Sequence, residues 1–505
     1  MSRTSDFIQS IQNGYNTAGE SITLGTAMLD GTAQPEAQIK IPLKTFNRHG
    51  LIAGATGTGK TKTIQVLSEQ LSAVGVPVLM MDIKGDFSGI AAEGEEKSFI
   101  TERHQKINIP FSPKKFPVEL LSLSEQPGVR LRATISEFGP VLFSRILDLN
   151  DTQAGVVSVI FKYCDDHQMP LLDLKDIKKV INYITEEGKE EIEADYGKIS
   201  PSTTGTILRK IIELEQQGGD FFFGELSFDI SDLMRYDQNG MGYVNILRLN
   251  DIQDKPKLFS TFMLSLLAEI YQQMPEKGDA DRPELVLFID EAHLIFSQAS
   301  QTLLEQIETI VKLIRSKGIG IYFITQNPND IPSGVLSQLG LKIQHALRAF
   351  TANDRKAIKL TADNYPLSDF YQTDQLITEL GIGEALVTAL SEKGSPTPLA
   401  ATMLRAPESR MDVLTETEIQ AINAQSKLVK KYGQEVDRES AYEMLTKKLE
   451  AANEQAATES AEAQKESPKQ ESGTAEMIGK SVLKVVTSAS FIRGAFSILS
   501  KMLKK

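Results

Sequence analysis

The sequence predicts an α/β fold built on a mainly parallel sheet, with an α-helical insertion in its middle and a helical to disordered C-terminal tail. Three observations predict it. Residues 51–82 contain LIAG, ATGTGKT, IQVLSEQLSAVG and VPVLMMD in turn. That is strand, glycine loop, helix and strand, a βαβ unit whose two strands must run parallel. From YVNILRL onward the rhythm returns, and ELVLFID and GIGIYFIT are unbroken apolar runs of strand length, as strands buried on both faces require. Between about 117 and 240 the strand rhythm gives way to helical stretches such as QAGVVSVIFKYC and TILRKIIELEQQ.

Taken in order, residues 1–47 hold SITLGTAMLDG and AQIKIPL, short alternating runs set off by Gly and Pro, and read as a small β appendage. Residues 48–116 form the first part of the core, 117–240 the α-rich insertion, and 241–414 the second part. In that second part YVNILRL is followed by the helix KLFSTFMLSLLAEIYQQ, strand ELVLFID, helix TLLEQIETIVKLIRS and strand GIGIYFIT. Late strands fall near KIQHALRA, EALVTAL and PLAATML. Residues 415–475 turn to Ala, Glu, Gln and Lys: one or two charged helices, then a stretch from Glu459 to Ala475 with the composition of a disordered linker.

The last segment, 476–505, reads as a basic amphipathic helix. Ile478, Val482, Val485, Ala489, Ile492, Phe496, Leu499 and Leu503 make a seam of period 3.5, which suits pairing with a partner helix. Lys480, Lys484, Arg493, Lys501, Lys504 and Lys505 equally suit an anionic membrane surface or DNA phosphates.

Composition narrows the function classes. The chain has 505 residues, enough for one large α/β core and a second domain. A net charge of −13 argues against a surface coated for phosphate binding, though not against a local basic channel. The single cysteine, Cys164, excludes a disulfide framework and suits a reducing compartment. The N-terminus has no apolar leader and no segment offers eighteen uninterrupted apolar residues, so a cytoplasmic protein is expected.

The chemistry begins at Gly54, Ala55, Thr56, Gly57, Thr58, Gly59, Lys60 and Thr61, which satisfy G-x-x-x-x-G-K-[ST] between a strand and a helix. The motif ends at Thr61, and the next residue, Lys62, is given no part in nucleotide binding. Glycines let successive N–H groups curl around phosphate oxygens at a helix N-terminus. Lys60 is predicted to reach the β- and γ-phosphates of ATP, and Thr61 to put its hydroxyl on Mg²⁺. LVLFIDEAH ends a buried strand in two acids. Asp290 is placed to hold Mg²⁺ through water. Glu291 then has no metal duty and can polarise the attacking water. The bland alternative is that the pair caps the next helix.

Gln326 ends the strand expected beside the acid strand, where its amide can contact the γ-phosphate or the attacking water and report hydrolysis. Arg315 closes the preceding helix and is expected at the same sheet edge, pointing outward and unable to reach its own P-loop. An arginine of that kind can serve a neighbour's site, or with Lys317 merely neutralise a helix C-terminus. Asp82 and Asp86 read either as support for the metal's water or as helix caps, and Lys84 as their solvated partner.

NRHGLIAGATGTGKT, VLMMDIKGDFSG, LVLFIDEAH, RSKGIGIYFITQNPNDIP and GEALV together resemble the HerA/FtsK branch of P-loop motors, in particular bacterial HerA-like ATPases with a helicase HerA-like C-terminal domain. The resemblance covers about 45–410 apart from the insertion. It implies a RecA-like core of the additional-strand division, a homo-oligomeric ring that is hexameric, and ATP-driven movement on or remodelling of double-stranded DNA. It also maps a finger supplied in trans onto Arg315 and a second basic residue of the nucleotide site onto Arg48. Only 47 residues precede the core, where archaeal HerA has a β-barrel linked to a partner nuclease, so a docked nuclease is not expected. The alternatives are a secretion- or coupling-type ATPase acting on protein or nucleoprotein at a membrane, and a slow nucleotide-dependent switch or scaffold.

Overall fold

The computed structural model describes residues 2–465 except 279, 299, 300, 435 and 437. Two units divide them: residues up to 131 with 227–434, and residues 132–226 with the chain beyond 434.

In the first unit Ser2 caps α1 (Arg3–Gly14) by accepting the Ser5 N–H, and Phe7 and Ile11, one turn apart, are buried. Strands β1 (Ser21–Leu29) and β2 (Thr32–Pro42) form a hairpin. Its turn residues, Asp30 and Gly31, have φ of 50° and 76°, the pair of positive values a two-residue turn of this hand demands. The P-loop unit follows as β3 (Gly50–Ala53), α2 (Lys60–Ala73) and β4 (Val78–Asp82). Then come α3 (Ser98–Ile107), β5 (Val118–Ser122) and β6 (Val129–Arg130).

The second unit holds α4 (Ile135–Ile146), α5 (Asp151–Asp166), α6 (Leu174–Thr185), α7 (Lys189–Asp195), α8 (Pro201–Gln216) and α9 (Gly219–Phe222). The chain re-enters the first unit with β7 (Val244–Arg248), α10 (Pro256–Gln273), β8 (Leu285–Ile289), α11 (His293–Gln298), α12 (Gln301–Ile314) and β9 (Ile319–Thr325). It continues through α13 (Ser333–Leu336), β10 (Leu341–Gln344), α14 (Ala352–Asp363), α15 (Thr373–Glu379), β11 (Glu384–Thr388) and β12 (Ala400–Leu404). Helices α16 (Glu416–Gln425) and α17 (Lys427–Tyr432) complete that unit, and α18 (Ala441–Lys465) returns to the second.

The strands form one sheet in the order β2-β1-β12-β11-β10-β3-β9-β8-β4-β7-β5-β6. From β10 to β6 every pair is parallel, while β11, β12, β1 and β2 add an antiparallel flank. Strands β3, β4, β8 and β9 are buried along their whole length, which is why their sequences are apolar without alternation. The strand lying between the P-loop strand β3 and the acid strand β8 is β9. YVNILRL, which precedes the acid strand in sequence, forms β7 and lies outboard of β4.

Three boundaries differ from the sequence expectation. Residues 1–47 are part of the sheet rather than an appendage, because β1 pairs with β12 at Gly25↔Leu404. A Cβ on Gly25 would stand 2.0 Å from the Met403 carbonyl oxygen, so glycine permits that approach. The helical insertion is narrower than 117–240, because β5 and β6 extend the sheet and the return after residue 226 belongs to the first unit. Helix α18 is not an exterior tail: Ala441 and Leu445 are fully buried, and the Tyr442 N–H donates to Asp176 of α6 at 2.9 Å. It also runs to Lys465, into the expected linker, while the basic seam of 476–505 lies outside the described residues. No helix among the described residues is long and apolar enough to cross a membrane.

Candidate active site

Strand register gathers the chemistry at one edge. Ala53 stands opposite Thr325, Ile289 opposite Phe323, and Met81 opposite Ile289, so β3, β9, β8 and β4 end side by side. Their next residues are Gly54, Gln326, the pair Asp290–Glu291, and the loop after Asp82. This is the carboxyl edge where open α/β sheets take ligands.

The P-loop is anchored at both ends and exposed at its crown, Thr56 and Gly57. The Gly54 N–H donates to the Thr325 carbonyl at 3.3 Å and the Ala55 N–H to the Ala346 carbonyl at 2.8 Å. A Cβ on Gly54 would stand 2.5 Å from the His345 Cβ, so the strand exit tolerates only glycine. Gly59, at φ 113°, is the left-handed residue before α2. The first N–H groups of that helix have no intrahelical carbonyl to meet and favour negative charge. Lys60 is buried, and its ammonium donates to the Gly54 and Ala55 carbonyls at 2.6 and 3.2 Å. Burial, and then the charge of Lys84, depress its pKa. Thr58 closes the turn by donating to the Ala55 carbonyl at 2.7 Å. Lys62, two residues into α2, spends its ammonium elsewhere: it donates to Gln65 Oε1 at 3.2 Å and to the Met411 carbonyl.

The acids lie across from this loop. Asp290 is 5% exposed, and burial pushes its carboxyl up to about 7, against the pull of Lys84 and with the push of Glu291. Glu291 has φ of 46°, a left-handed conformation unusual for its type. Such a residue costs about 1–3 kcal/mol and is held by its surroundings. Its Oε1 forms an ion pair with Lys84, while its buried Oε2 has no hydrogen bond, with His293 Nδ1 3.2 Å away.

The donor set fits Mg²⁺. Thr61 Oγ1 donates to Asp86 Oδ2 at 3.3 Å, and Asp86 Oδ1 is buried without a hydrogen bond. Hydroxyl and carboxylate oxygens suit a hard cation that keeps waters and shares ligands with substrate phosphates. No cluster of three or more His, Cys, Asp or Glu among the described residues forms a metal cage of its own. Asp82 has a different duty: Oδ1 accepts from the Gly85 and Asp86 N–H groups at 2.7 and 3.1 Å, and Oδ2 from Phe87 at 3.2 Å. Burial pushes it up to about 6, and the nearby Asp86 charge adds to the rise.

Gln326 is exposed one residue beyond β9, abreast of Gly54. Arg315 is not at that edge. A crossover helix runs antiparallel to its strands, so α12 ends where β9 begins, and the seven residues of β9 separate Arg315 from Gln326. At roughly 3.3 Å per residue that is ~23 Å, beyond the reach of an arginine side chain. The structure therefore overturns the shared edge while keeping Arg315 away from its own P-loop. Arg48, in the short 3₁₀ turn Leu43–Arg48 before β3, also lies at the amino edge, with the four residues of β3 between it and the phosphate loop.

Between these two arginines sits His49, buried at φ 56°. Its Nε2–H donates to the Val311 carbonyl at 2.8 Å and its Nδ1 accepts the Ile321 N–H at 3.0 Å. Burial, with Arg315 adding to it, lowers its pKa to about 4 against the pull of the Val311 carbonyl. Arg315 is exposed with no ion pair among the described residues. Lys317, its expected companion, instead pairs with Glu276 at 2.9 Å over the Tyr271 ring.

Two residues of the site carried no usable sequence signal. Lys84 read as solvated and proves to hold Glu291. His345, at the end of β10, lies under the P-loop with Nε2 2.9 Å from Thr63 Oγ1. Burial, and then the charge of Lys60, lower its pKa to about 4.

Comparison with known proteins gives this geometry a family. A family model described as "Helicase HerA-like C-terminal" matches residues 28–496. The chain is 26% identical over 377 residues to the DNA double-strand break repair helicase HerA of Sulfurisphaera tokodaii, covering 72% of this chain and 66% of that protein. It is 23% identical over 355 residues to the protein of the same name from Saccharolobus solfataricus, covering 69% and 63%. The chain thus matches just under two thirds of the length of these relatives. Among solved structures, the bacterial conjugative coupling protein TrwB has the same fold, with a TM-score of 0.51 at 14% identity, covering 81% of this chain and 94% of that one. The same protein in complex with ADP and Mg²⁺ aligns with a TM-score of 0.51, also at 14% identity, covering 80% and 94%. With its P-loop, its acid pair and the β9 strand between them, the chain belongs to the helicase HerA-like C-terminal family.

Proposed function

We propose that this chain hydrolyses ATP with Mg²⁺ as one subunit of a homo-oligomeric, hexameric ring in the cytoplasm, and uses the cycle to translocate on or remodel double-stranded DNA. The observation that carries the reading is the placement of Glu291 at the carboxyl edge beside the P-loop, buried and left-handed, with Oε1 held by Lys84 and Oε2 accepting no hydrogen bond. Lys60 and the first turn of α2 bind the phosphates. Thr61, Asp86 and, through water, Asp290 would hold Mg²⁺, which when bound would neutralise charge developing on the phosphate oxygens. Glu291 accepts a proton from a water while that water's oxygen bonds to the γ-phosphorus. The bond from the γ-phosphorus to the β–γ bridging oxygen breaks, leaving ADP and inorganic phosphate. Gln326, abreast of Gly54, orients the water.

Arg315 and Arg48 share the far edge of the sheet and serve the neighbouring subunit's nucleotide, Arg315 as the finger. The DNA reading is supported by the HerA relatives, which are DNA double-strand break repair helicases, and by one surface of this chain. Arg348, Arg355, Lys356 and Lys359 are all exposed around Phe350, itself 83% exposed, in a protein of net charge −13. Local cations with an exposed ring suit a nucleic-acid backbone. The test is phosphate release from Mg-ATP by wild type and Glu291→Gln. The variant should bind ATP and release at least 100-fold less phosphate, the lower bound for losing a general base being on the order of 10². Wild-type turnover in the variant would overturn the assignment.

A further inference from the structure

Lys84 is set up to do more than neutralise a carboxylate. The loop carrying it is fixed from both sides: Asp82 accepts three N–H groups from residues 85 to 87, and Gln253 donates to the Ile83 carbonyl at 2.6 Å. Gly85 makes the turn at φ 79°. With the backbone held, the freedom left to Lys84 lies in its side chain, which is 40% exposed while the Glu291 carboxylate it grips is 8% exposed.

Its charge also bears on Lys60 and on Asp290. Two ammonium groups therefore converge on the place where a nucleotide's terminal phosphates meet the acids. One of them, Lys60, rests on carbonyl oxygens of the P-loop, and the other rests on the proposed base. The Lys84 ammonium occupies Oε1 of Glu291, an oxygen that a water's proton would otherwise approach. The pair as it stands works against the proton transfer assigned to Glu291.

We propose that Lys84 is a positioning residue that reads the third phosphate: it keeps Glu291 in an ion pair beside a diphosphate, and swings to the γ-phosphate of a triphosphate, releasing Glu291 to accept the water's proton. The inference rests on the reading of Glu291 as the base. Its logic is competition, since a terminal phosphate bears more negative charge and more acceptor oxygens than a carboxylate. The device couples hydrolytic competence to the presence of a bond to hydrolyse.

The test uses the full chain and two probes with Mg²⁺, ADP and a non-hydrolysable ATP analogue. Affinities are measured for wild type, Glu291→Gln, Lys84→Met and the double variant. Removing the carboxylate charge frees Lys84, so Glu291→Gln should bind the triphosphate analogue about tenfold tighter while ADP affinity changes less than about twofold. Lys84→Met should abolish the preference for triphosphate over diphosphate, and the double variant should show no gain from Glu291→Gln. Lys84→Arg should retain the preference, because it keeps the charge.

A gain that persists without Lys84, or an unchanged preference in Lys84→Met, would overturn the proposal and leave Lys84 a structural prop. ADP binding reports folding in each variant, and Lys84→Gln replaces Lys84→Met in the cycle should the latter lose it. Failure of the base reading is separate: it would appear as normal hydrolysis by Glu291→Gln, whatever the binding cycle shows.

Discussion

Replacing Arg315 with alanine removes an exposed side chain that has no ion pair among the described residues. Folding stability should stay within about 0.5 kcal/mol of wild type. Turnover should fall about 10³- to 10⁵-fold if the guanidinium meets a γ-phosphate in the transition state. At 1.36 kcal/mol per decade that is ~4–7 kcal/mol of lost transition-state stabilisation. The ~23 Å run of β9 between Arg315 and its own carboxyl edge means the loss must be felt in the neighbouring site.

The assay is complementation between two inactive chains, Lys60→Ala, which keeps the arginine, and Arg315→Ala, which keeps the P-loop. In rings assembled at random from equal amounts, about one quarter of the sites pair an intact P-loop with an intact neighbouring arginine, as head-to-tail interfaces require. Phosphate release should therefore recover to about one quarter of the wild-type rate when sites act independently, and to less when they act in concert. No recovery in rings shown to be mixed would refute supply in trans.

Other outcomes follow from the same geometry. Gly54→Ala drives a Cβ to 2.5 Å from that of His345, so it should destabilise the first unit by about 1–3 kcal/mol and abolish ADP binding, read by denaturant unfolding and calorimetry. Glu69 is buried on α2, where it accepts from the Glu408 and Ser409 N–H groups, and burial lifts its carboxyl from 4.5 to about 7. The folded state then binds the proton more tightly than the unfolded state. The stabilisation is complete below pH 4.5 and is lost as pH rises through 7. Relative to Glu69→Gln, wild type should lose about 2.5 kcal/mol of unfolding free energy between pH 5 and pH 8, and parallel pH profiles would contradict this. Arg355→Glu with Lys356→Glu should weaken DNA binding and make the salt slope shallower by about 2, with ADP affinity unchanged.

The P-loop and the acid pair were legible because their signal is local: a fixed spacing set between a strand and a helix. Strands β3, β8 and β9 were legible because burial on both faces writes a continuous apolar run. What sequence reasoning missed is non-local. Nothing in SITLGTAML says that its partner is the strand Ala400–Leu404, and nothing in VELLS separates a sheet strand from a helical insertion. The charged residues of α18 concealed Ala441 and Leu445, whose burial depends on α6 being there to receive them.

Arg315 is a different kind of miss, since the information was present. A helix between two parallel strands must return to the amino edge, and applying that rule puts its last residue opposite Gln326. The Lys84–Glu291 pair had no such rule, because it joins two loops through side chains.

Steady-state ATP hydrolysis by the wild-type chain, at low and moderate salt, with and without double-stranded DNA and with Glu291→Gln as the control, tests the account most directly. The account predicts that DNA stimulates turnover, that the stimulation fades as salt rises because phosphate contacts are lost, and that Glu291→Gln shows neither effect. Hydrolysis that is indifferent to DNA at both salts would contradict a DNA motor and favour a protein-directed ATPase.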